Sequence, residues 1–242
     1  MRQLPRYLKR YTILMENPAI KKSVSIIRKR GICYLAGNMG KPKKQKPWLG
    51  DMFSFLYDRI MEKSVFPKKF NASIDKHYGI LKNEFENIRN ARVIEFATGS
   101  GDAVKYLHND NLYGGVDISP GLLRMARKRF DSHHFPGSEL FVADVCDTPF
   151  KDNYADFAFC NLSLNFFEDI ECFISEIHRI IKPGGIFFCS APVQERKRTR
   201  AVIHGKLYMI EELKERFEKQ GFRFEALPYD NGALLYFRAH RL

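Results

Sequence analysis

Three carboxylates and two glycines stand where they could hold a nucleoside. Glu95 precedes the loop Ala97-Thr98-Gly99-Ser100-Gly101, Asp117 ends the next apolar run, and Asp144 ends the one after it. Glycines have no Cβ, so Gly99 and Gly101 let backbone amides come close to a ligand. An acid at the end of a second strand can accept both hydroxyls of a ribose. An acid one strand further along the same edge can accept from an adenine amino group. Each feature alone is weak, because turn glycines are common and a strand-end Asp often only caps a helix. Their joint order points to an adenosine-containing ligand. A side chain placed at Gly101 is expected to enter that ligand's space while the domain stays folded.

These residues need a sheet to align them. Arg92-Val-Ile-Glu-Phe96 reads as a strand, with helix predicted after the loop to about His108. Leu112–Val116, Leu140–Ala143 and Ala155–Cys160 read as further strands. Ser119 is the expected N-cap of a helix with Pro120 in its first turn, and a helix is expected over Ile170–Ile181. Lys182-Pro-Gly-Gly185 must stop that helix. A strand over Gly185–Ser190, a helix over Met209–Gln220, and strands over Phe222–Leu227 and Ala233–Ala239 complete the domain. Ahead of the first strand, Phe53, Leu56, Tyr57, Ile60 and Met61, then Ile74, Tyr78, Leu81 and Phe85, recur at helical spacing. Alternating strands and helices predict a doubly wound, mostly parallel α/β sheet. Such sheets bind ligands at the carboxyl ends of their strands.

The 242 residues suffice for one such domain and an appendage, and 45% hydrophobic with 28% charged residues is a globular composition. No run approaches the roughly 18 apolar residues of a membrane-spanning helix, and no secretory signal is visible. Cys33, Cys146, Cys160, Cys172 and Cys189 lack ligand spacing and read as buried thiols of a reducing compartment, without metal or disulfides. A cytoplasmic location is expected. The net charge of +12 is concentrated: residues 1–48 carry 13 Lys or Arg against Glu16 alone, and the remainder is neutral. Leu8, Leu14, Ile20, Val24, Ile27, Ile32 and Leu35 interleave with those cations, so helix is expected in this basic arm. Lys41–Pro47 is the expected linker to a domain over residues 49–242. The arm suits contact with a membrane surface or with nucleic acid, or it is simply a solvated face.

Glu95-Phe-Ala-Thr-Gly-Ser-Gly101, Val116-Asp-Ile-Ser119, Ala143-Asp-Val145 and Ile180-Ile-Lys-Pro-Gly-Gly185 resemble the successive motifs of class I S-adenosylmethionine-dependent methyltransferases. The likeness spans about residues 88–240. Phe55-Leu-Tyr-Asp-Arg-Ile-Met61 is similar to the leading segment of the ubiquinone/menaquinone-type small-molecule branch. The resemblance implies a Rossmann-like seven-stranded sheet with a helical N-terminal extension, and S-adenosylmethionine as cofactor. It implies Gly99 and Gly101 under the methionyl part, with Glu95 near its ammonium. Asp117 would hold the ribose, Ile118 would flank the adenine, Asp144 would face its amino group, and Val145 would offer a backbone amide. Asn161 would stand where donor meets acceptor. Ala97 occupies a position where the family commonly has glycine.

Asn161-Leu-Ser-Leu-Asn165 lacks the Asx-Pro-Pro-aromatic pattern of nucleobase amine methyltransferases, and Cys160 is not preceded by proline. A small apolar or aromatic acceptor is therefore expected, under a lid from Phe53, Phe55, Tyr57 and Phe66 and from Pro192–Tyr208. Methylation of RNA or protein held by the arm, and a catalytically silent nucleotide-binding module, remain alternatives. An NAD enzyme fits less well, because Val104 stands where the dinucleotide fingerprint wants Gly or Ala. His77, His178 and His204 are bases by type, and none is assigned a catalytic role.

Overall fold

The computed structural model describes residues 12–13, 19–36, 57–197 and 199–242. Its strands are β1 (Thr12–Ile13), β2 (Ile26–Lys29), β3 (Ile32–Leu35), β4 (Arg92–Phe96), β5 (Leu112–Asp117), β6 (Ser138–Val142), β7 (Ala155–Asn161), β8 (Ile181–Pro192), β9 (Phe222–Ala226) and β10 (Leu234–Arg241). They form one sheet in the order β1-β2-β3-β6-β5-β4-β7-β8-β10-β9. The run from β3 to β8 is parallel; the pairs β8–β10, β10–β9, β1–β2 and β2–β3 are antiparallel. The seven strands read from the sequence are the run β6 to β9 in that order. Ten are present among the described residues, because the N-terminal segment adds three at the β6 edge.

Those three strands lie where helix is expected. Ile26-Ile27 and Ile32-Cys33 are buried, and Arg30 and Gly31, both at positive φ, turn the chain between them. Two successive positive φ values give the tight turn whose twist matches a hairpin. β3 then pairs with β6 through Cys33↔Phe141 and Tyr34↔Val142, and Arg28 ties the hairpin to Glu139 at 2.7 Å. Pairing covers an edge that would otherwise expose unsatisfied amides. The expected linker Lys41–Pro47, Phe53 and Phe55 lie outside the described residues, as does most of the basic arm.

Helices cover both faces: α1 (Ile74–Phe85), α2 (Pro120–Ser132), α3 (Ile170–Ile180) and α4 (Ile210–Lys219), with Tyr57–Ile60 running into a π-helix over Met61–Phe70. Side chains alternate between two cores. Ile94 and Phe96 of β4 join α3 and α4, while Val93 joins α1 and α2. Ser119 caps α2 by accepting from Leu122 N at 3.1 Å, with Pro120 at its start. The helix expected after the glycine loop is a single 3₁₀ turn, Asp102–Lys105, which the short span to β5 cuts off. Cys33, Cys160 and Cys189 are buried thiols; Cys146 and Cys172 are half-exposed. No helix among the described residues is long and apolar enough to cross a membrane.

Candidate functional site

The chain direction of the crossovers changes at β4, with β5 and β6 on one side and β7 and β8 on the other. A narrow cleft of about 60 Å³ opens there at the strands' carboxyl ends, lined in part by Glu95, Ala97, Gly99, Ser100, Asp102 and Asn161. From the other side it is walled by Met61, Phe66, Ile74, His77 and Tyr78. Of the expected lid residues, Phe66 lines this wall. Pro192–Tyr208 does not line it but backs it, through Thr199 Oγ1 donating to the Lys69 carbonyl at 3.1 Å.

Glu95 occupies an otherwise apolar slot of β4 and is 3% exposed. Tyr113 Oη donates to its carboxylate. Burial, with Asp102 and Asp117 nearby, holds the Glu95 carboxyl well above the usual carboxylate range, against the opposing pull of the Tyr113 and Thr98 hydroxyls. Asp117 accepts Gly99 N and Ser119 N, each at 2.8 Å, so the strand-end acid also pins the glycine loop. Ile118 is 37% exposed beside it. Asp144 is exposed and Val145 half-buried; both follow Ala143, whose amide donates to the Asp117 carbonyl at 3.2 Å. Ile118, Asp144 and Val145 thus lie on the same edge, outside the narrow cleft. Asn161 ends β7, donating to Tyr106 Oη at 2.9 Å and accepting from Ser190 Oγ at 3.0 Å.

The two glycines differ. A Cβ on Gly99 would meet nothing closer than the Ala97 carbonyl at 4.0 Å, so open space faces it. A Cβ on Gly101 would lie 2.7 Å from Ala126 Cα. Gly101 therefore seats the loop against α2, and the expectation that its side chain would enter ligand space is corrected. Ala97 sits at φ 54°, a left-handed conformation costing an L-residue about 1 to 2 kcal/mol. Ala97→Gly should relieve part of this and raise stability by about 0.5 to 1 kcal/mol after the entropy of a freer unfolded chain. Thermal melting should show a rise of a few degrees; a lowered midpoint would mean that the methyl contributes packing that outweighs the strain.

Sequence reasoning missed a polar clasp over the loop. Ser100 Oγ donates to Asp58 Oδ1 at 2.8 Å, and Arg129 of α2 pairs with both Asp58 and Asp102. Tyr78 Oη donates to Asp102 Oδ2 at 2.5 Å. The Tyr-Asp in the leading segment was the available signal. Of His77, His178 and His204, His77 alone lines the cleft; His178 packs on Phe222.

A family described as a methyltransferase domain matches residues 94–189. The demethylmenaquinone methyltransferase of Chlorobaculum tepidum is 26% identical over 171 residues, covering 65% of this chain and 67% of that protein. A ubiquinone/menaquinone biosynthesis C-methyltransferase of Desulfotalea psychrophila is 31% identical over 102 residues, 40% of each chain. The fold is shared with Haemonchus contortus phosphoethanolamine N-methyltransferase 2, solved with S-adenosyl-L-methionine, at TM-score 0.61 and 17% identity over 83% of this chain and 61% of that one. The strand order, the glycine loop pinned by a strand-end acid and these similarities agree: the chain carries a methyltransferase domain over residues 94–189 and is similar to S-adenosylmethionine-dependent methyltransferases of the menaquinone and ubiquinone branch.

Proposed function

We propose that this chain methylates a small, uncharged apolar or aromatic acceptor. The observation that carries the reading is the charge of the cleft. Its lining includes the carboxylates Glu95 and Asp102 and no Lys or Arg among the described residues. Once Glu95 is ionised beside a cation, that wall favours a sulfonium and an ammonium, and it offers an anionic acceptor no cation of its own. The open space before Gly99 is a cradle that a Cβ would fill, so the residues fit S-adenosylmethionine. When bound, the cofactor supplies an electrophilic methyl group at its sulfonium.

Around it, Asp117 accepts from the ribose hydroxyls, Ile118 flanks the adenine, Asp144 accepts from its amino group, and the Val145 amide donates. Gly99 lies beneath the methionyl part with Ala97 beside it, Gly101 holds the loop in place, and Glu95 faces the ammonium. Asn161 stands between donor and acceptor, fixed by Tyr106 and Ser190. Positioning supplies most of what an in-line displacement needs. The half-apolar wall of Met61, Phe66 and Ile74 suits an apolar ring. Incubating the full chain with methyl-labelled S-adenosylmethionine and cell extract should place label in the organic-solvent fraction; label confined to RNA or protein would overturn the acceptor class.

Cofactor binding should also release a proton. A cation beside Glu95 lowers a carboxyl that burial holds high, so affinity rises with pH across the window between its bound and free values. Calorimetry in two buffers of different ionisation enthalpy should reveal that proton, and Glu95→Gln should abolish it. Identical heats in both buffers for the parent would remove Glu95 from the ammonium.

A further inference from the structure

Two of the five thiols combine a sulfur neighbour with access to solvent. Cys146, in the loop after β6, and Cys172, in the first turn of α3, are both half-exposed. Each sulfur reaches across to the other's element. Cys146 Sγ lies 3.8 Å from the Asp169 carbonyl oxygen, and Cys172 Sγ lies 4.0 Å from the Cys146 carbonyl oxygen. The two thiols are within hydrogen-bond reach of each other. Cys160 and Cys189 also pair, across β7 and β8, but both are sealed at 0% exposure, and Cys33 is buried as well. No group of three or more His, Cys, Asp or Glu placed to hold a metal occurs among the described residues. The chemistry open to Cys146 and Cys172 is therefore that of two neighbouring thiols.

The loop that carries Cys146 is anchored at its two ends. Ala143 N donates to the Asp117 carbonyl at 3.2 Å, and Thr148 N donates to Glu176 Oε1 of α3 at 2.8 Å. Between those anchors Asp144, Val145, Cys146 and Asp147 are exposed or half-exposed. Asp144 Oδ1 accepts the Cys146 amide at 2.9 Å, so this carboxylate moves with the cysteine. Opposite, Asp169 caps α3 by accepting the Cys172 amide at 2.9 Å, which ties that residue to a helix seated in the core. A disulfide bond is only about 2.05 Å long. Sulfurs at hydrogen-bond distance must approach to form it, and the loop is the side that yields.

We infer that Cys146 and Cys172 are a modification site for a small disulfide oxidant, oxidised glutathione, and that closing their bond draws Asp144 off the adenine. The second half rests on the proposed function, which puts Asp144 on the adenine amino group. The reaction is two successive thiol–disulfide exchanges. One cysteine thiolate attacks a glutathione sulfur, forming a mixed disulfide and releasing the first glutathione as its thiol. The second cysteine then attacks the protein sulfur of that mixed disulfide and releases the other glutathione. Two protein thiols lose two electrons and two protons, and one glutathione disulfide takes them up as two thiols. In a reducing compartment such bonds are transient and redox-sensing, which suits a half-exposed pair.

The test uses the full chain, either reduced or equilibrated with oxidised glutathione. Alkylation and peptide mass spectrometry should find Cys146 joined to Cys172, with the three buried thiols free. Calorimetry should show S-adenosylhomocysteine binding the oxidised chain about threefold or more weakly than the reduced one, with recovery on reduction. Cys172→Ser should bind like the reduced parent and yield no internal bond. Free thiols at both positions, glutathione adducts without an internal bond, or equal or tighter binding by the oxidised chain would each overturn the inference. So would an equal loss of affinity in glutathione-treated Cys172→Ser, because an adduct and not the bond would then be its cause. Failure of the reduced chain to bind S-adenosylhomocysteine would instead overturn the cofactor reading, while the mapped bond still decides the disulfide.

Discussion

Asp117→Ala is expected to weaken S-adenosylhomocysteine binding by about 2 to 4 kcal/mol, or roughly two orders of magnitude. Two losses combine. The ribose loses a charged acceptor, and Gly99 N and Ser119 N, now bonded at 2.8 Å, lose the carboxylate that holds the loop. Asp117→Asn should lie close to the alanine variant. An amide offers one oxygen where two backbone donors wait, so one N–H faces another. Calorimetric titration of both variants checks this, and parent-like affinity in Asp117→Ala would remove the residue from the ribose.

Gly101→Val is expected to damage the fold before it touches the ligand. The added Cβ would sit 2.7 Å from Ala126 Cα and 3.3 Å from Phe130 Cε2, in a backbone at φ 86°. Overpacking costs about 1 to 3 kcal/mol and the left-handed backbone about 1 to 2 more. A chain of this size should then melt some 10 °C lower. Gly99→Ala, whose Cβ has open space, should melt nearer the parent and lose cofactor affinity instead. If Gly101→Val melts like the parent and binds nothing, the glycine faces the ligand after all.

The sheet was legible because its strands are short β-branched or aromatic runs that lead into a glycine loop or end in an acid, as at Val93-Ile-Glu-Phe96 and Gly115-Val-Asp117. The N-terminal hairpin was not. Its isoleucines interleave with cations at spacings that also suit a helix, and its turn is Arg30-Gly31, where Asn-Gly would have announced a hairpin. The strand-end acids and the glycine loop were visible as residue types, since a backbone approach needs glycine whatever the fold around it. The separate tasks of Gly99 and Gly101 were not, because the contact with Ala126 joins residues brought together only by packing. The same holds for Asp58 with Arg129, and for His77 with Tyr236, 159 positions apart in sequence. No local period encodes such pairs.

A glycine loop followed by a strand-end acid serves two kinds of adenosine cofactor, and titrating each into the full chain separates them. S-adenosylmethionine should bind one per chain, with S-adenosylhomocysteine competing for the same site, and NADH should give no heat. NADH bound in place of S-adenosylmethionine, or S-adenosylmethionine giving no heat at any pH between 6 and 9, would contradict the assignment of the β4–β7 cleft.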